Sequence, residues 1–109
     1  MIKVKVDRND AKRITAFSMS GHADSGPYGY DLVCAGASAV SFGTVNAIDA
    51  LCEVELDVDM EDEGGYIHCA VPSHVTGHVS GEVQLLLEGM LVSLQTIADE
   101  YSDHIKISD

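Results

Sequence analysis

The sequence predicts a two-layer α+β domain in which two helices pack on one mixed or antiparallel sheet, in the order ββαββαβ. Three observations carry that expectation. Short segments alternate apolar and polar residues with period two, beginning with Ile2, Val4 and Val6 against Lys3 and Lys5. Two long stretches change to helical spacing, one around Val33, Ala37, Val40, Ile48 and Leu51 and one from Val83 to Tyr101. The 109 residues contain no linker or low-complexity segment, so residues 1–109 are expected to form one domain around one core. Segregated helices and strands of this kind resolve into a sheet with helices on one face.

The elements follow in order. Residues 2–6 form a half-buried strand, Arg8-Asn9-Asp10 a turn, and residues 13–20 a second strand completing a hairpin. Residues 21–30, GHADSGPYGY, carry three glycines and a proline and read as a loop able to move, with Gly21 and Gly29 as its hinge candidates. Asp31 is a good N-cap for the first helix. Gly36 and Gly43 each cost that helix about 1 kcal/mol relative to alanine. Residues 53–60 alternate strictly, placing Val54, Leu56, Val58 and Met60 inward, and Gly64-Gly65 turns the chain into a strand over 66–71 that Pro72 ends. Residues 72–81 read as an irregular connector. The second helix covers 82–102, and residues 104–108 make a last strand.

Composition narrows the function classes. The formal net charge is −12, and five of the six Lys and Arg precede residue 14. Nucleic-acid binding rests on a basic footprint, so direct nucleic-acid contact is not expected. An acidic surface favours basic partners, although acids also serve plain solubility. No apolar run approaches the roughly 20 residues of a membrane span, and the start lacks a signal-peptide h-region, so a cytoplasmic protein with no membrane contact is expected. Cys34, Cys52 and Cys69 are too few and too scattered for a disulfide framework, and no Cys-x-x-Cys pair is present.

The segment that can carry chemistry runs from Gly21-His22-Ala23 to Asp31-Leu32-Val33-Cys34-Ala35. With Asp31 as N-cap, Cys34 is the third helical residue, near unpaired N–H groups and the positive end of the helix dipole. The thiolate is the nucleophile, and an ordinary thiol is only about 3% ionised at pH 7. The helix terminus contributes about 0.3–1 kcal/mol to the anion, so a neighbouring imidazole is needed, and His22 is the nearest along the chain. Asp31 either caps the helix or orients His22, and the sequence leaves both open. Ser38 lies one turn beyond Cys34 on the same helix face.

The stretch 21–41, GHADSGPYGYDLVCAGASAVS, resembles the ribosomal-processing cysteine protease family of Firmicutes and related bacteria. The matching positions are Gly21, His22, Ala23, Gly29, Asp31, Val33, Cys34, Ala35 and Ser38, and the likeness extends over nearly the whole chain. The resemblance implies a cytoplasmic thiol endopeptidase that removes a short N-terminal extension from large-subunit ribosomal protein twenty-seven. It implies Cys34 as nucleophile and His22 as base, with Asp31 and Ser38 in supporting positions, and a small α+β fold seen as a homodimer. No cofactor is implied.

Other signals are weaker. His74, His78 and Glu82 would share a face on a helix, but Pro72, Ser73, Gly77 and Gly81 argue against a helix before residue 81, so no metal site is expected. Asp57, Asp59 and Glu61 lack the glycine of a calcium loop. Cys52 and Cys69 fit apolar positions and are not expected to be catalytic. Two competing readings remain: a non-enzymatic adaptor that holds a ribosomal protein during assembly, and a thiol-dependent acyl or redox enzyme using the same pair.

Overall fold

The structure is a computed structural model that describes residues 1–22, 31–61 and 65–109. Its elements are β1 (Ile2–Arg8), β2 (Ile14–Ser20), α1 (Leu32–Cys52), β3 (Asp57–Met60), β4 (Tyr66–Ala70), α2 (Gly77–Glu100) and β5 (Ile105–Ser108), which is the expected ββαββαβ order. The strands form one sheet in the order β3-β4-β2-β1-β5. β1 and β5 run parallel and the other pairs antiparallel, so the sheet is mixed.

Strand periodicity becomes sheet sidedness. Ile2, Val4 and Val6 point into the core and Lys3 and Lys5 out. The register sets Val4 beside Met19, Met19 beside Ile67, and Ile67 beside Met60, one apolar row across four strands. The hairpin between β1 and β2 turns where Asn9 Oδ1 accepts from the N–H groups of Ala11 and Arg13, at 3.0 and 3.1 Å. That side-chain bond is why asparagine suits the position. The helices cover the core face. α1 buries Val33, Ala37, Ser41 and Ile48, and α2 buries Val83, Leu87, Met90, Leu94 and Ala98. The Gln84 amide clips α2 to β2, its Oε1 accepting from the Ile14 N–H at 2.7 Å and its Nε2 donating to the Ile14 carbonyl at 2.8 Å.

Three expectations change. Strand pairing on the third strand covers only Asp57–Met60, not 53–60. Val54 and Leu56 are buried, but as part of the turn out of α1, where Glu53 takes a left-handed φ of 56° and Val54 N–H reaches the Ile48 carbonyl at 3.4 Å. Val58 and Met60 point to the core side yet are 43% and 52% exposed, because the helices do not extend over this edge strand. α2 begins at Gly77, five residues earlier than its apolar stripe implied. Gly77, at the head of α2, has a φ of +69°, a left-handed conformation that glycine adopts without strain, so it turns the chain into the helix rather than interrupting it. His78 and Glu82 do then share a face, 3.6 Å apart, while His74 lies outside the helix. Among the described residues no group of three metal-ligating side chains forms. Finally, α1 is by length and composition apolar enough to cross a membrane, contrary to the run-length reading, although its Val33–Ile48 stripe packs on the sheet.

Candidate active site

The site begins with the start of α1. Asp31 has extended backbone, φ −77° and ψ 100°, and its Oδ1 accepts from the Cys34 N–H at 2.9 Å. Of the two roles open in the sequence, the geometry shows the capping one. The cap fixes Cys34 at the third helical position, half-buried, with its side chain on the stripe that continues through Ser38 to Phe42 at four-residue intervals. Asp31→Ala is expected to lower stability by about 1 kcal/mol. Asp31→Asn, which keeps an acceptor, should recover most of that loss in a denaturant titration.

His22 arrives from the other side, just past the C-terminal end of β2. Beyond the Ser20–Tyr66 pair the ladder is extended by one further bond, Gly21 N–H to the Gly65 carbonyl at 2.8 Å. Gly21 has a φ of +86°, and a Cβ there would fall on the carbonyl oxygen of Met1. Gly65 has a φ of +80°, and a Cβ on it would stand 3.2 Å from His22 Nε2. Both glycines therefore shape the seat of the imidazole. In the sequence Gly65 reads only as half of a turn, because its neighbour His22 lies far away along the chain.

His22, Cys34 and Ser38 line one cleft of about 260 Å³. Its remaining walls are the side chains of Ile2, Met19, Phe42, Met60 and Ile67 and the ring of Tyr66, with Gly21 and Gly65 beside them. These six side chains were missed as site residues, as was Gly65, although Phe42 stands two turns from Cys34 and Met60 ends the alternating run. Ser41, fully buried, donates its hydroxyl to Met19 Sδ at 3.6 Å and so holds that wall. Gly29 lies in the stretch 23–30, outside the described residues.

The other cysteines are set apart. Cys69 is buried in β4, and burial pushes its thiol up to about 11. Burial, with the charge of Glu82, also raises Cys52. Neither lines the cleft. A neutral-pH thiol held up by burial is a poor nucleophile.

Comparison with known proteins places this geometry. The family model described as "Cysteine protease Prp" matches residues 1–106. A relative from Staphylococcus aureus, the ribosomal processing cysteine protease Prp, is 48% identical over 108 residues, covering 99% of this chain and 98% of its own. The Bacillus subtilis protein of that name is 41% identical over 99% of this chain and 96% of its own. Two crystal structures of the essential S. aureus protease superpose closely. One, with a covalently linked product peptide, has a TM-score of 0.90 at 46% identity, and one with a substrate peptide has 0.84 at 45%, each covering 99% of this chain and 98% of the other.

Proposed function

This chain belongs to the cysteine protease Prp family and is a cysteine peptidase, and on that premise we propose that it trims the N-terminal extension of large-subunit ribosomal protein twenty-seven in the cytoplasm, using Cys34 as nucleophile and His22 as base. The observation that carries the assignment of residues is the shared cleft. Cys34, in the first turn of α1, and His22, after β2, line the same 260 Å³ space, and the other two cysteines lie outside it.

In this reading His22 takes the Cys34 proton, and Sγ attacks the scissile carbonyl carbon. The C–S bond forms as the carbonyl electron pair moves to oxygen. Cys34 N–H is engaged by the Asp31 side chain and Ala35 N–H by the Asp31 carbonyl at 3.0 Å, so the Leu32 and Val33 N–H groups are the donors that the first turn offers the oxyanion. Collapse breaks the C–N bond, and the leaving amine takes the proton from His22. Water, deprotonated by His22, then cleaves the thioester and returns the thiol. Ser38 supports the substrate or the sulfur from one turn away.

A homodimer is part of this proposal. Between α1 and α2, on the side away from the sheet, small residues (Ala39, Gly43, Ala47, Gly89) line a shallow groove beside Leu85, which is 74% exposed. That surface suits a second copy.

Incubation with the extended precursor, followed by mass analysis, tests the substrate. Loss of the extension at one junction is expected, and a precursor that stays intact would overturn the assignment. Iodoacetamide at neutral pH tests the nucleophile: Cys34 should be alkylated well ahead of Cys52 and Cys69. Equal labelling rates would remove the basis for a Cys34–His22 dyad.

A further inference from the structure

Among the described residues β3 is an open edge of the sheet, and three facts give that edge a direction and a chemistry. First, the apolar row of the core face runs past the helices. Ile67 and Cys69 on β4 are 3% and 1% exposed, while their partners Met60 and Val58 on β3 are 52% and 43% exposed. Second, the hydrogen-bonding phase is set. Glu61 N–H bonds the Tyr66 carbonyl at 3.3 Å, and in antiparallel pairing such bonds recur at every second residue. Asp57, Asp59 and Glu61 therefore bond inward to β4, and the N–H and C=O groups of Val58 and Met60 point to the open side. Third, the edge joins two cavities. Met60 lines the Cys34 cleft, and at the other end Asp57 and Val58 line a groove of about 680 Å³ with Glu53, Glu55 and His74.

We propose that β3 is the docking strand for the substrate: an extended peptide adds to it as a sixth strand, bonds the Val58 and Met60 backbone, and so delivers its scissile bond to the Cys34 cleft. The inference rests on the peptidase reading above and specifies how that site recognises its substrate. Strand addition leaves side-chain selection to alternate positions. Peptide side chains on the helix side meet Val58, Met60 and Phe42 and are apolar. Those on the other side meet Asp57, Asp59 and Glu61 and are basic. The same charges argue against a second copy of this chain as occupant, because edge-to-edge pairing would bring like carboxylates together.

The test uses a synthetic peptide spanning the extension junction of ribosomal protein twenty-seven, and a series in which each backbone amide is N-methylated in turn, two or more residues from the scissile bond. Methylation at every second position should lower kcat/KM about tenfold, the order expected for a lost hydrogen bond with its clash, and the positions between should change little. Losses without that alternation would overturn the proposal. Failure to cleave the unmodified peptide would instead overturn the proposed substrate, ribosomal protein twenty-seven. On the protein side, Val58→Pro removes an outward N–H at a position where an edge strand tolerates proline. It should raise KM about tenfold, by the same estimate, with kcat nearly unchanged and the oligomeric state preserved. An unchanged KM in a folded variant, or a change of oligomeric state, would count against substrate docking at this edge. If the variant does not fold, the N-methyl series alone decides.

Discussion

Cys34→Ala is expected to leave the extended precursor uncut, with kcat/KM reduced by roughly four to six orders of magnitude, the range seen when a peptidase loses its nucleophile. The expected size follows from the site. Cys52 and Cys69 lie outside the cleft with raised pKa values, so no second thiol replaces the first. The fold should tolerate the change, because Cys34 is only half-buried and its backbone bond to Asp31 is kept. The measurement is single-turnover cleavage with a thermal melt of the same preparation. A folded variant that trims at the wild-type rate would end the dyad proposal. His22→Ala should give a loss of the same order, and the double variant little more, since the two residues act as one unit.

The second large effect concerns stability. Gly21→Ala is expected to cost about 2 kcal/mol or more, lowering Tm by roughly 10 °C, because a left-handed φ and a blocked Cβ position coincide there. A matched control lies in α1. Gly43 has no heavy atom within 4 Å of an added Cβ, so Gly43→Ala should raise stability by about 0.5–1 kcal/mol. A hinge role for Gly21 in a moving loop, as the sequence has it, means that a bulky residue there slows turnover more than it weakens the fold. The structure ties Gly21 to Met1 and Gly65, so both properties should fall together. If Gly21→Ala melts with the wild type while Gly43→Ala does not rise, the steric account is wrong.

Much of this was readable from residue order. Period-two alternation at Ile2–Val6, the cap at Asp31 and the apolar stripe of α2 are local signals, and each corresponds to an observed element. The failures share a cause. The run Val54–Leu56–Val58–Met60 alternates without a break, yet its first half is buried by the turn out of α1 and its second half pairs with β4. Periodicity records which residues share a face, not what, if anything, covers that face: Val54 and Leu56 are buried while Val58 and Met60 stay exposed. Gly77 reads as an obstacle to a helix, because glycine's propensity cost applies to helical backbone, whereas its φ of +69° makes it the turn into α2. In the site, His22 and Cys34 were legible because they sit close to the ends of elements that the sequence defines. Met60 and Gly65 were not, because their part depends on which strand lies beside which.

The parallel pairing of Ile2 with Ile105 has a kinetic consequence. Met1 and Ile2 form the floor under Gly21, and the Ile2 N–H is held by the His104 carbonyl at 2.9 Å, from the far end of the sequence. Contacts of such wide separation close late, after the local hairpin and helices have formed. The seat of the imidazole is thus expected to close after them, and on the proposed Cys34–His22 pairing a half-folded chain would then carry its thiol without its partner.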